Sequence, residues 1–99
     1  MKRLGIVVAT APLRGDALRA VTLARAARAA GVEARIFLMA GAAEWGGSEA
    51  AAALVEDGCE ITVCATNFGE RTAAPGVTVG SQDDHAALVA WADRLVALT

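Results

Sequence analysis

The sequence predicts one three-layer α/β/α domain on a mostly parallel sheet of four to five strands, and three observations carry that expectation. Its 99 residues leave room for one hydrophobic core and no second. The strand candidates are short, continuous apolar runs rather than alternating ones, as expected of strands buried on both faces. Between them lie alanine-rich stretches with helix starts and stops, so strand and helix alternate to the end of the chain.

Leu4 to Ala9 reads as the first strand, and Thr10-Ala11-Pro12 turns the chain out of it. Asp16 is the expected N-cap of a long helix that stops at Gly31. Ala34 to Met39 repeats the strand pattern, and Gly41 to Gly47 forms a loop carrying Glu44 and Trp45. Ser48 caps a second helix running through Val55 to Gly58. Glu60 to Cys64 is the third strand and Val77 to Val79 the fourth. Ser81 opens a last helix whose apolar stripe is Leu88, Trp91, Ala92, Leu95 and Val96. Right-handed crossovers between such units put helices on both faces of a parallel sheet.

The hydrophobic share of 56% against 20% charged residues argues against disorder and for close packing of small side chains. A net charge of −2 without a basic block offers nothing to nucleic acid or to an anionic membrane. The opening Met1-Lys2-Arg3 followed by apolar residues mimics a signal peptide, but Pro12, Arg14 and Asp16 end the stretch early, and a cytoplasmic protein without a membrane span is expected.

Chemistry in open parallel sheets gathers outside the carboxyl ends of the strands, and Cys64 lies on that edge. It follows Ile61-Thr62-Val63 and precedes the helix-start signal Thr66-Asn67. There, unpaired N–H groups at a helix entrance favour the thiolate. The other cysteine, Cys59, enters the same strand and reads as a buried small hydrophobe. The two are not expected to pair, because five residues of strand separate them by about 16 Å and point them to opposite faces. With His85 alone in another segment, no metal site is expected. His85 itself reads as a surface residue of the last helix's first turn.

Around Cys64, Arg71 either adds positive charge or is simply solvated, and Asn67 reads as a cap because Asn67-x-x-Glu70 has capping-box spacing. Arg14, in the loop after the first strand, is a candidate for binding an anionic donor. Trp45 either covers the pocket or packs against another subunit. On the first helix, Ala20, Leu23, Ala24, Ala27 and Ala30 form a smooth face for the sheet, leaving Leu18, Val21 and Thr22 with Arg25 and Arg28 as a candidate interface.

Gly58 to Cys64, the loop to Arg71, Gly76-Val77-Thr78-Val79-Gly80, and Trp91-Ala92-Asp93-Arg94-Leu95-Val96 together resemble the DsrE/TusD (DsrE/DsrF-like) family of small sulfur-relay proteins. The front half, from Asp16 to Gly41, is similar to the family's first helix and second strand, so the resemblance spans nearly the whole chain. It implies a flavodoxin-like architecture and a sulfurtransferase that carries sulfur as a persulfide on Cys64, at the end of a G-x-x-I-x-x-C strand. Arg71 takes the place of the family's arginine seven residues on, and Asn67 and Arg14 stay candidate substrate contacts from the residues alone. It further implies no cofactor or metal, partners that are sulfur donor and acceptor proteins or small persulfides, and a homo-oligomer, trimer or hexamer, with Trp45, Leu18 and Val21 at a pocket or interface. The chain departs from the pattern after Arg71, where only Thr72 to Gly76 precede Val77. That short segment favours the alternative, a non-catalytic DsrE-like oligomeric or partner-binding module. A nucleotide-binding domain is disfavoured, since Thr10 to Gly15 lacks the glycine spacing of a phosphate loop.

Overall fold

The computed structural model describes residues 2–99. Five parallel strands form one sheet: β1 (Arg3–Val8), β2 (Glu33–Leu38), β3 (Glu60–Cys64), β4 (Thr78–Gly80) and β5 (Arg94–Leu98), in the order β4-β3-β2-β1-β5. The helices are α1 (Asp16–Ala29), α2 (Glu49–Glu56), the single turn α3 (Ala65–Phe68) and α4 (Gln82–Trp91), with 3-10 segments at Pro12–Arg14 and Ala40–Gly47.

This order fixes which face each helix covers. From β1 to β4 the chain steps in one direction across the sheet, so right-handed crossovers place α1, α2 and α3 on one face. From β4 it returns the full width of the sheet to β5, which puts α4 alone on the other. The two sides differ accordingly. Ile6, Val8, Ile36, Leu38, Ile61 and Val63 meet the helices of the first face in a large core. On the second face Val7, Phe37, Cys64 and Leu88 make a small cluster, flanked by Met39 and Trp91.

The alanines of α1 set its distance from the sheet: Ala17, Ala20, Ala24 and Ala27 are buried, so the helix approaches closely and the strands supply the larger side chains. Each fully buried aliphatic or aromatic strand residue stabilises the fold by about 1.5–3 kcal/mol. Val21 joins this core at 8% exposure, while Leu18 stays 71% exposed. The helix therefore presents Leu18 but not Val21 to solvent, since its buried stripe takes in Ala17 and Val21 while Leu23 is half-buried and Ala30 exposed. Asp16 also differs from expectation. Gly15 holds the N-cap position with φ 86°, and the Asp16 carboxylate accepts from the Thr10 hydroxyl at 2.6 Å.

The Gly41 to Gly47 loop is an ordered 3-10 strap, and Trp45 is an 8% exposed member of the large core. The largest departure is at the C-terminus, where the expected helical stripe breaks after Trp91 and Arg94–Leu98 becomes β5. Pairing with β1 decides this, since the otherwise open edge of β1 gains a full parallel ladder from Leu4↔Arg94 to Val8↔Leu98. The Asp93 carboxylate fastens the turn by accepting from the N–H groups of Lys2 and Arg3, both at 3.0 Å. Gly5 permits the close approach: a Cβ there would lie 2.9 Å from Leu95 and 3.0 Å from Ala92.

Candidate active site

Cys64 ends β3 and occupies the N-cap position of α3. On its strand the side chain points to the α4 face, opposite Cys59, which lies in the large core. Both cysteines are free thiols. Cys64 is 3% exposed rather than open at the edge, because the amino end of α4 and the turn of α3 close over it. The covering residues Thr66, Asn67 and Gln82 are themselves exposed, so only surface side chains shelter the sulfur.

The thiol sits among donors. The Asn67 backbone N–H is the main influence holding its pKa below the ordinary value; burial opposes it, and the Gln82 amide, the Thr66 N–H and the Thr66 hydroxyl reinforce it. Gln82 Nε2 donates to Cys64 Sγ at 3.6 Å. Because α3 is a single turn, these local donors favour the thiolate rather than a long helix dipole. For Cys59 burial dominates and pushes the thiol up to about 12. Its sulfur donates to the Glu60 carbonyl at 3.7 Å and receives nothing comparable.

β4 supplies the other half of the site. Gly80 pairs with Cys64 across the sheet, and a Cβ at Gly80 would run into Thr62 and the Asp84 carboxylate. Its absence lets the Ser81–Asp84 capping box lie tight against β3, with Ser81 Oγ accepting from Asp83 N and Asp84 Oδ2 from Ser81 N. The first turn of α4 is thereby set over the sulfur. His85 stacks on Phe37 with ring centroids 5.2 Å apart, and its Nδ1 lies 3.0 Å from Gln82 Oε1.

The remaining candidates lie at varying distance from this chemistry. Asn67 is inside α3 rather than a cap; its side-chain Oδ1 accepts from Ala40 N at 2.9 Å, tying α3 to the strap where Ala40 has φ 50°. Arg71 donates to the carbonyls of Asn67 and Phe68 at 3.2 and 3.0 Å, so its guanidinium serves the carboxyl end of α3. Arg14 is exposed in the turn before α1, with its carbonyl taken by Arg19. Gln82 and Phe37 were not singled out from sequence. The signal for Gln82 was the capping box at the exit of β4, but placing it beside Cys64 required knowing that β4 pairs with β3.

A hollow of about 190 Å³ opens on the α4 face, lined by Arg35, Phe37, Glu60, Thr62, Asp84 and Leu88 among others; Cys64 does not line it. Among the described residues no group of three or more His, Cys, Asp or Glu side chains is arranged to hold a metal ion, and no helix is long and apolar enough to cross a membrane.

No protein-family model matches the chain, and no curated protein matches it. Among solved structures, the crystal structure of the YchN protein from E. coli is similar over 99% of this chain and 100% of that one, with a TM-score of 0.75 and 19% identity. At this identity the likeness shows a shared fold, a single α/β domain with five parallel strands in one sheet.

Proposed function

We propose that the protein is a sulfur-relay sulfurtransferase that accepts sulfane sulfur on Cys64 and passes it on. The observation that carries this reading is the setting of one thiol, with the Gln82 amide donating to Cys64 Sγ at 3.6 Å and the N–H groups of the α3 turn, from Thr66 and Asn67, lowering its pKa. The DsrE resemblance and the fold shared with YchN support it. In the reaction, Cys64 thiolate attacks the outer sulfur of a donor persulfide R–S–SH. The new bond joins Cys64 Sγ to that sulfur, the donor's S–S bond breaks, and the electron pair leaves with R–S⁻. Cys64–S–SH then yields its outer sulfur to an acceptor thiolate in the same way. Oxidation states balance across each exchange, and the step uses no cofactor or metal.

The donors stabilise anionic sulfur in both directions, as attacking thiolate and as leaving group. A donor or acceptor reaches Cys64 by displacing the exposed side chains above it. The partners in this reading are persulfide-bearing proteins or small persulfides, in a reducing cytoplasm where both free thiols persist. Homo-oligomerisation as a trimer or hexamer belongs to the same reading. Its support is two exposed apolar side chains, Leu13 in the turn before α1 and Leu18 on it. Light scattering at micromolar concentration should give a multiple of the 10.0 kDa chain, and a monomer mass would contradict the assembly.

The deciding experiment is intact mass after incubation with a persulfide donor. The native chain and Cys59→Ser should each gain one sulfur, about 32 Da, reversibly with reductant, and Cys64→Ser should gain none. Equal loading of Cys64→Ser, or no loading of the native chain, overturns the relay and favours a non-catalytic DsrE-like binding module, which the short segment from Thr72 to Gly76 would suit.

A further inference from the structure

We infer that Gln82 is the side-chain donor that holds the reacting sulfur, and that His85 is the positioning residue that aims it. The inference rests on the relay reading for its purpose and on three contacts for its geometry. The Gln82 amide spans Cys64 Sγ on its nitrogen side, at 3.6 Å, and His85 Nδ1 on its oxygen side, at 3.0 Å. The His85 ring is in turn stacked on Phe37, a fully buried residue of the neighbouring strand β2.

Only one arrangement of protons satisfies this chain of contacts when the sulfur is anionic. A carboxamide has one donor end and one acceptor end, so the NH₂ that faces sulfur leaves Oε1 for the imidazole. His85 must then donate from Nδ1, which both the imidazolium and the Nδ1–H tautomer do. Turned the other way, the amide would set its oxygen against a thiolate or a terminal persulfide anion. An imidazole that donates from Nδ1, held flat on Phe37, thus takes the oxygen of Gln82 and leaves its NH₂ for the sulfur.

The other charged groups on the elements packed against Cys64 are paired or exposed, Arg35 of β2 pairing with Glu33 and Glu60. Asp84 accepts from Ser81 N at the cap of α4, and Arg71 donates to the carbonyls of α3. Asp83 and Glu70 are exposed, and no charged group is among the causes of the Cys64 shift. Aim, rather than net charge, is therefore what His85 contributes.

The test is the pH midpoint of Cys64 alkylation in the native chain and in Gln82 and His85 variants, in a Cys59→Ser background. The midpoint reports thiolate stabilisation, whereas altered access moves only the plateau rate. Losing one hydrogen bond to a charged group should raise the midpoint by about one pH unit in Gln82→Met, and by more in Gln82→Glu. His85→Ala should raise it by about half as much, because the amide becomes free to turn. His85→Asn, whose amide can donate where Nδ1 does, should restore it. In the Gln82→Met background His85→Ala should have no further effect. A midpoint unmoved by Gln82→Met, or a His85→Ala shift that persists without Gln82, overturns the inference. Persulfide loading of the native chain separates it from the relay itself. Loading of the native chain with an unmoved midpoint in the variants removes only the role of Gln82 and His85, and a moved midpoint in the variants with no loading of the native chain supports that role while removing the relay.

Discussion

Cys59, just before β3, and Cys64, at its end, expose little surface, at 2% and 3%, but Cys59 lies deep in the large core and Cys64 shallowly beneath surface side chains, and their acidities move in opposite directions. Cys59 is surrounded by the aliphatic core beneath α1 and α2, and desolvation of its anion goes largely unanswered. Cys64 lies on the thinly covered face, where the ends of β3 and β4 bring N–H groups and an amide to the sulfur. Exposed surface alone therefore says little about a thiol's chemistry; what decides is how deep the sulfur lies and whether the groups around it donate hydrogen bonds.

The most disruptive way to break the contrast is to remove the floor of the Cys64 face. Phe37→Ala empties a site that is 1% exposed and frees the His85 ring, and should cost about 3–5 kcal/mol in denaturant unfolding. The same change should raise the Cys64 alkylation midpoint while leaving Cys59 unreactive in the folded state.

Alkaline titration sharpens the contrast next, because the chain has no tyrosine and Lys2 is its one lysine. The folded-state value of Cys59, about 12, lies above the ordinary 9.0, so the unfolded chain releases that proton first. Stability is then fully present below pH 9 and falls as pH rises toward 12, with a limiting slope of about 1.4 kcal/mol per pH unit. Cys59→Ala should flatten that decline. Cys64, whose value is lowered, makes stability rise with pH just below 9, and Cys64→Ser should remove that rise.

Much of this was legible in the sequence, for identifiable reasons. Continuous apolar runs marked β1, β2 and β3, and their exit ends placed Cys64 on the edge where the donors are found. The odd spacing from Cys59 put the two thiols on opposite faces, as the two clusters show. The C-terminus was misread because Leu88, Trp91, Ala92 and Leu95 fit a helical stripe as well as they fit a helix end followed by a strand. Only the unpaired edge of β1 breaks that tie, and it is a long-range fact. Val21, Trp45 and Asn67 were misplaced on a smaller scale. Helix rotation, the path of a 3-10 strap and the Ala40 N–H that claims the Asn67 side chain all depend on tertiary packing. Gln82 was missed because a residue's neighbour across a sheet is set by strand order.

Smaller effects separate backbone from side chain at the site. Asn67→Ala should cost about 1 kcal/mol by leaving the Ala40 N–H without its acceptor, measured by urea unfolding. It should leave the Cys64 midpoint in place, since the group that reaches the sulfur is the Asn67 backbone N–H. Arg71→Ala should slow sulfur loading by no more than about three-fold, within the usual range for an exposed charge, because its guanidinium caps α3 instead of facing the thiol.

The contrast between the thiols is tested most directly by limited alkylation of the native protein at neutral pH, with the modified cysteine located by peptide mass. The donor set predicts that Cys64 is labelled first, at least about ten-fold faster than Cys59, with the difference vanishing on unfolding. Equal labelling in the folded state, or Cys59 ahead of Cys64, would contradict the claim that the shallow, donor-lined sulfur is the reactive one.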